Sequence, residues 1–391
     1  MENSQTLDVA IVGAGPAGAA SALALAGRGL CVGILEKGVP PRHKTCGGGV
    51  LRRAARLLPI DISATVEREC FAAELVHHAP ALRFVCRREQ PIISMVMRDR
   101  FDHALGRAAE EGGARFFSGT TVHDVQLADG HVQLLTSAGD FSARFVIAAD
   151  GVNSIVARQT RRPPLRDVIP ALECEVRVAP ESMAAFAGAA RFDFGFVPAG
   201  YAWVFPKREH LSIGVLTTRR GAASLPEYYR RYLTMLGIPP PLREERHGYM
   251  IPSRPRAGLW GVPRVLFVGD AAGLADPLTA EGITAAISSG QLAARAILAG
   301  EFKDTLVQRI YRRSLSKTLL AEHRMARWIA RAVYNYPTLR HGLLRRRGQN
   351  FSELLTQIVT GENSYRSILL QPKNYWRFLW KRHVEKAAPG R

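Results

Sequence analysis

Three short motifs of glycine and aspartate each follow an apolar run, and two more carry residues able to act on a bound molecule. Gly13-x-Gly15-x-x-Gly18 follows the apolar run Leu7 to Val12 and precedes an Ala/Leu stretch. At a strand-to-helix junction, glycine lets the backbone turn tightly and lets a pyrophosphate reach the amide groups of the helix start. Glu36 lies eighteen residues past Gly18, at the end of the next apolar run, where a carboxylate can accept hydrogen bonds from ribose hydroxyls. The second motif, Asp150-Gly151-x-Asn153-Ser154-x-x-x-Arg158, directly follows the apolar Phe145 to Ala149. The third, Gly269-Asp270-Ala271-Ala272-Gly273, follows Val265 to Val268 and leads through Pro277 to Glu281-Gly282-Ile283 at an expected helix start.

The fourth is His43-Lys44-Thr45-Cys46-Gly47-Gly48-Gly49. A thiol among glycines can approach a planar ring closely because its neighbours carry no side chains. Cys46 could then donate a proton, tune the ring or merely pack. The fifth is Pro198-x-x-Tyr201-x-Trp203-x-Phe205-Pro206. Tyr201, Trp203 and Phe205 alternate on a strand and share one face, which suits the wall of an apolar slot and equally suits a plain core strand. His43-x-x-Cys46 has the spacing of half a zinc site but no matching second half, and His77-His78 has no supporting ligands, so no metal is expected. HExxH and G-x-S-x-G are both absent, which removes the usual hydrolase signatures.

In their order, the first three motifs resemble the p-hydroxybenzoate-hydroxylase-like flavoprotein superfamily, over roughly residues 7 to 300. That resemblance implies that they bind FAD together. Asp270 would hydrogen-bond the ribitol, and the helix opening at Gly282 and Ile283 would aim its amides at the N1/C2 edge of the flavin, where reduction places negative charge. Carried over position by position, the resemblance assigns cofactor contacts to Gly13, Gly15, Ala17, Gly18, Glu36, Lys37, Cys46, Gly47, Gly49, Arg98, Val122, Asp150, Gly269, Asp270, Pro277, Gly282 and Ile283. Taken alone, Arg98 in Arg98-x-x-Phe101-Asp102 also reads as a surface arginine opening a helix. The Cys-Gly-Gly segment and the Tyr-x-Trp-x-Phe-Pro signature are similar to those of geranylgeranyl reductases, which saturate isolated C=C bonds of prenyl chains with reduced FAD. By that likeness Tyr201, Trp203, Phe205 and Pro206 line the substrate cavity; the sequence does not identify the catalytic acid, for which Cys46 and Tyr201 are candidates by placement alone. A flavin monooxygenase or halogenase of the same superfamily is the competing enzyme, although the halogenase Trp-x-Trp-x-Ile-Pro signature is missing. A flavin-binding or basic RNA-binding protein without catalysis is the competing class, and retention of all three motifs argues against it.

These residues must be positioned by an α/β fold. The strand, glycine turn, helix and strand of residues 7 to 37 form one βαβ unit. Two Pro/Arg-rich stretches, Arg161 to Pro170 and Pro239 to Pro263, read as crossings between domains. Strand-like segments lie between them: Leu172 to Val178, Ala190 to Val197, Tyr201 to Phe205 and Leu211 to Leu216. The expected architecture is a Rossmann-like FAD-binding domain (residues 1–70, 98–165 and 256–304), an inserted, mainly antiparallel β-sheet substrate domain (71–97 and 166–255), and a basic helical C-terminal region (305–391).

With 391 residues and 47% hydrophobic content, the chain is long enough for two or three domains. Val9 to Gly27 runs nineteen residues without a charge, yet Gly13, Gly15, Pro16 and Gly18 interrupt it, so a membrane-spanning helix is not expected. Five cysteines without a CxxC pair or a signal peptide suggest a reduced, cytoplasmic setting. The net charge is +19, and residues 305–391 hold 18 Lys+Arg against Glu322, Glu353, Glu362 and Glu385, so +14 of it sits in the last fifth. Lys373, Arg377 and Lys381 recur every four residues beside Trp376, Leu379 and Trp380. That pattern suits a peripheral helix on the anionic inner face of a membrane, and equally a helix packed on the body with its charges solvated. The expected partner is a prenyl-lipid substrate; no nucleic acid is expected. No second GxGxxG is present for a nicotinamide, so NADPH would bind transiently or a small redox protein would reduce the flavin.

Overall fold

A computed structural model describes residues 5–78, 81–219 and 224–370. Its first sheet is built on the apolar runs of the glycine motifs. Gln5–Val12 lies parallel between Val32–Glu36 and Gly139–Ala148. Arg115–Ser118 and Val265–Phe267 add parallel strands outside them. Val9 to Ile11 and Phe145 to Ala148 are wholly buried, as parallel strands covered on both faces must be, which is why they read as continuous apolar runs rather than alternating ones. The helix Pro16–Leu25 crosses the helix Ile283–Ala299 closely, because Gly290 meets the Ala17 carbonyl where any Cβ would collide.

The second sheet has seven strands in the order Arg243–Pro252, Val168–Arg177, Leu211–Thr217, Gly200–Pro206, Ala190–Phe194, Ala72–His78 and Ala81–Arg87. Every pairing is antiparallel except that of Ala190–Phe194 with Ala72–His78. One face buries Cys174, Val176, Val204 and Ile213 beneath the helix Leu225–Met235. The opposite face presents Leu75, Phe194, Tyr201, Trp203 and Leu216 toward the first domain and the C-terminal helices.

Two placements differ from the sequence reading. The second proline-rich crossing holds a ten-residue strand, Arg243–Pro252, in full register with Val168–Arg177. It is an edge strand whose Arg-Glu-Glu-Arg start faces solvent, so it lacks the apolar alternation that marks a half-buried strand. Ile93–Val96 pairs not with the large antiparallel sheet but with Gly49–Leu51 and Val66–Cys70 in a third, small sheet.

The C-terminal helices cover both domains. Asp304–Lys317 buries Val307, Tyr311 and Leu315 against the first sheet, and the Tyr311 hydroxyl donates to the Phe267 carbonyl at 2.6 Å. Leu319–Asn335 and Pro337–Thr360 lie across the substrate sheet, where Gly348 leaves room for the Phe84 ring and Cys86 meets Ser352 at 3.3 Å. Arg88 clamps the second helix through Glu353 and the turn after it through Glu362. No helix among the described residues is long and apolar enough to cross a membrane. Lys373, Trp376, Arg377, Leu379, Trp380 and Lys381 lie outside the described residues.

Candidate functional site

The glycine turn is fixed by sterics. Gly13 has φ +102°, and a Cβ there would lie 2.6 Å from the Ala149 carbonyl oxygen. Gly18 lies against the Gly13 carbonyl with no space for a side chain. Around Gly15, by contrast, only the Arg42 guanidinium comes within 4.0 Å of a Cβ position, so the helix start is open to a phosphate. Glu36 ends its strand with both oxygens in use: Ala14 N–H donates to one at 2.8 Å and Gly38 N–H to the other at 2.9 Å. Its charge therefore ties the glycine turn to the second strand while its carboxylate edge faces the cavity.

A chain of paired charges continues from Glu36. Arg42 bridges Glu36 at 3.0 Å and Asp102 at 3.3 Å, and Asp102 accepts both arms of Arg98 at 2.8 Å. Burial works against the Arg98 charge, but Asp102, with the Cys46 thiol beside it, holds its pKa above the ordinary arginine value. Arg98 is only 9% exposed, so it is a buried ion rather than a surface arginine opening a helix. Lys44 lies 3.4 Å over the Tyr249 ring, and the Tyr249 hydroxyl donates to Asp270 at 2.8 Å. Burial, and then Arg98, push the Lys44 pKa down to about 8. Asp150 keeps one oxygen on Val156 N–H at 3.1 Å while the other is buried without a partner, and burial pushes its pKa up. An orphaned buried acceptor is costly unless a ligand donor reaches it.

These features fit FAD: a glycine turn left open at Gly15, cavity-lining carboxylates at Glu36 and Asp270 that would take ribose and ribitol hydroxyls, and an unpartnered oxygen on Asp150. Gly13, Gly15, Ala17, Glu36, Lys37, Cys46, Gly47, Gly49, Arg98, Val122, Asp150, Asp270, Gly282 and Ile283 all line one cavity of about 870 Å³. Gly18, Gly269 and Pro277 do not line it; they shape the turns behind it. Gly269 has φ +53°, with the Ser289 hydroxyl accepting its N–H at 2.9 Å.

The same cavity runs on beneath the substrate sheet. Gly47 sits where a Cβ would be 3.0 Å from Phe205 and 3.1 Å from the Trp203 Nε1, so the cysteine-glycine segment touches the aromatic strand directly. Trp203 lies flat across Gly214 of the neighbouring strand, which leaves no room for a side chain there. Tyr201, Trp203 and Phe205 line the cavity with Phe192 and Phe194, whereas Pro206 ends the strand and does not. The Tyr201 hydroxyl donates to the Thr279 carbonyl at 2.6 Å, and burial, then Asp276, raises its pKa above the ordinary tyrosine value. Cys46 Sγ accepts from Gly48 N–H at 3.4 Å. The far wall comes from Ser352, Leu355, Thr356 and Val359 on the helix Pro337–Thr360.

Several cavity residues were not singled out by sequence. Arg42, Tyr249 and the C-terminal wall carry no motif of their own; they arrive through long-range packing. Glu173 did leave a signal, since Leu172-Glu173-Cys174-Glu175-Val176 puts two carboxylates on one face of an otherwise apolar strand. Glu173 lines the cavity and is 3% exposed. A second acidic pair, Asp276 and Glu281, shares Arg53 at 3.8 and 3.4 Å behind the Gly282 turn. Among the described residues no group of three or more His, Cys, Asp or Glu side chains is placed to hold a metal ion. His78 instead pairs with Asp193 at 2.6 Å, and His77 meets the Phe194 carbonyl.

Comparison with known proteins agrees with this arrangement. Residues 6–206 match the model of a family described as FAD binding domain. The digeranylgeranylglycerophospholipid reductase 1 of Methanopyrus kandleri is 31% identical, over 76% of this chain and 82% of its own. The chloroplastic geranylgeranyl diphosphate reductase of Arabidopsis thaliana is 28% identical, over 90% of this chain and 80% of its own. Among solved structures, a geranylgeranyl bacteriochlorophyll reductase-like protein from Thermoplasma acidophilum superposes with a TM-score of 0.74 at 22% identity, covering 92% of both chains. The halogenase PltM in complex with FAD gives 0.68 at 19%, covering 92% of this chain and 84% of its own. The last two show a shared fold alone. The chain belongs to the geranylgeranyl reductase family of FAD-dependent oxidoreductases, on the p-hydroxybenzoate-hydroxylase-like fold.

Proposed function

We propose that this enzyme saturates isolated C=C bonds of a prenyl, geranylgeranyl-type chain carried by an isoprenoid lipid or diphosphate. The observation that carries the reading is the single continuous cavity, which joins the dinucleotide cradle at Gly13–Gly18 to an aromatic slot at Tyr201, Trp203 and Phe205. FAD, when bound and reduced, supplies the electrons and one hydrogen for a carbon-carbon double bond. The chain's own residues hold the flavin end between Cys46–Gly49 and Gly282–Ile283, line the slot with rings, and exclude water behind the helix Pro337–Thr360. NADPH or a small redox protein serves as the external reductant.

A twenty-carbon chain transferred from water into such a slot gains at most about 16 kcal/mol, taking about 0.8 kcal/mol per CH₂. Most of that vanishes if the chain leaves a bilayer instead, so the enzyme gains by meeting its substrate at a membrane surface. A basic face with aromatic residues supports peripheral attachment there: Trp328, Tyr336 and Leu339 are exposed, and Arg331 lies over the Trp328 ring.

The reading is tested by anaerobic incubation of dithionite-reduced holoenzyme with geranylgeranyl diphosphate and with prenyl lipid extracts, followed by mass spectrometry. A gain of two hydrogens per reduced unit is expected. Unchanged masses for all of them would overturn it, and the absence of oxygen separates a reductase from a monooxygenase or halogenase.

A further inference from the structure

Saturating an unactivated olefin needs a proton at one carbon, and neither candidate from the sequence is arranged to give one. Tyr201 spends its proton on the Thr279 carbonyl and is a weaker acid than an ordinary tyrosine. The Cys46 sulfur is taken up as an acceptor, receiving a hydrogen bond from Gly48 N–H at 3.4 Å and lying against the Arg98 guanidinium.

We infer that Glu173 is the proton donor to the substrate, recharged from solvent through Glu175 and His210. This rests on the reductase reading above and names the group that completes it. Glu173 lies on Val168–Arg177 at the register position of Gly214, the residue under the Trp203 indole, so its carboxyl enters the cavity beside the aromatic wall.

Two residues along the same strand and on the same face, Glu175 is held as the carboxylate. Lys207 Nζ, itself 1% exposed, lies 3.0 Å from one of its oxygens, and His210 Nε2 lies 2.9 Å from the other. Lys207 also donates to the Val96 carbonyl at 3.1 Å, so the cation cannot swing away. With one carboxylate pinned in its charged form, its neighbour in the same buried site keeps a proton, since two adjacent carboxyls in low dielectric do not both ionise. Burial, and then Glu175, push the Glu173 pKa up to about 8. Lys207 and the Ser212 hydroxyl, which donates to Glu173 at 3.0 Å, pull it the other way and keep it from rising further. His247 occupies the paired position on Arg243–Pro252 and meets His43 edge-on, and Asp99 and Glu245 act on His43 through their charge.

The path to solvent is short. His210 follows the Arg208-Glu209 turn and is 21% exposed, its imidazole reaching Glu175, which in turn neighbours Glu173. In the step itself the Glu173 O–H bond breaks as a C–H bond forms at one olefin carbon, while the electron pair and the second hydrogen come from the reduced cofactor. Glu173 is left as a carboxylate, and one proton taken up through His210 and Glu175 restores it.

Glu173→Gln keeps the acceptor for Ser212 and removes the acidic proton. Its flavin should be reduced by dithionite at the wild-type rate, while reoxidation by geranylgeranyl diphosphate should slow by about 10² to 10⁴-fold, the usual contribution of a general acid. Wild-type reoxidation should fall as pH rises through about 8. Ser212→Ala removes a donor that favours the carboxylate, so this limb should move to higher pH. A third readout needs neither cofactor nor substrate: infrared spectra of the apoprotein at pH 7 should show the carbonyl stretch of a protonated carboxylic acid that Glu173→Gln lacks. An unchanged infrared spectrum, or wild-type reoxidation by the Gln variant, overturns the assignment. Wild-type protein that shows the infrared band yet reduces no olefin would instead overturn the reductase reading.

Discussion

Replacing Gly214 with alanine puts a methyl group where the Trp203 indole lies. The new Cβ would stand 2.6 Å from Trp203 Cε2 and nearer still to Cζ2 and Cη2. Carbon atoms rest at about 3.5 to 4.0 Å, so the ring must move by roughly 1 Å or more. It has little room, because Gly47 meets its Nε1 on one side and Tyr201 and Phe205 flank it at 6.1 and 6.2 Å between ring centroids. Forcing one methyl into a packed site typically costs about 1 to 3 kcal/mol. That is enough to displace the indole but small against the stability of the many contacts elsewhere. None of the residues of the glycine turn, the Glu36–Arg98 charge chain or Asp270 is touched.

The expected result is a separation of binding from turnover. FAD affinity, read by quenching of flavin fluorescence, should stay within about threefold of wild type, since a change below about 0.7 kcal/mol is expected at the cofactor. Reoxidation of the reduced flavin by geranylgeranyl diphosphate should fall by about 10²-fold, the size expected when a reacting group is misplaced by about 1 Å. Gly248→Ala is the control. A Cβ there meets nothing within 4 Å, so it should leave both readouts unchanged. If Gly214→Ala binds FAD and reoxidises at the wild-type rate, Trp203 does not wall the substrate slot, and the reasoning from the continuous cavity fails.

Three further outcomes follow from the charges. Lys44 has its pKa lowered to about 8 in the apoprotein, so between pH 8 and its unfolded value of 10.5 the unfolded chain binds more protons and stability rises with pH, by at most about 3 kcal/mol. Lys44→Met should lack that rise in urea unfolding of the apoprotein, and an identical profile refutes the buried cation. His323 is pushed down to about 4, chiefly by burial, so it stays neutral in the fold and protonates on unfolding. Stability should therefore be lost as pH falls from about 6.5 toward 4, on the order of 3 kcal/mol, and His323→Gln should flatten that limb. Trp328 fluorescence should shift to the blue with anionic vesicles at low salt and not with neutral ones, while Trp328→Ala should weaken co-sedimentation; an absence of binding to anionic vesicles ends the idea of peripheral attachment.

Much of the cofactor cradle was legible because its chemistry is local. A glycine turn, the carboxylate ending the next strand and an Asp-Gly pair after a buried strand each sit within a few residues of the element that aims them. Apolar runs without alternation gave away the parallel strands for the same reason. The substrate side was legible only in part. Tyr201, Trp203 and Phe205 declared a face, but whether that face meets a core or a slot depends on Gly47 and Gly214, which lie 156 and 11 residues from Trp203 toward either end of the chain. Arg243–Pro252 hid as a proline-flanked polar stretch because an exposed edge strand has no hydrophobic period to detect. The wall from Ser352 to Val359 was hidden by charge: the arginines of the C-terminal region dominate its composition, while the residues facing the slot are few and small.

That last point bears on how one fold serves different chemistry. The glycine turn, Asp150 and Asp270 would serve any flavoprotein of this shape. The far wall of the cavity comes from the C-terminal helices. Here Phe84 packs against Gly348, Cys86 meets Ser352, and Arg88 holds Glu353 and, just past the helix end, Glu362, so one helix is fixed along the outermost strand of the substrate sheet. Remove that helix and the slot opens to water along its length. A long, featureless hydrocarbon offers no polar handle, so its double bond can be held only by shape, and shape needs walls on all sides. The helical cover is therefore part of the site rather than an appendage to it. The exposed Arg345 and Arg346 and the cavity-lining Ser352, Leu355, Thr356 and Val359 belong to one element, so on the proposed reading the helix that would meet a lipid surface is also the one that closes the slot.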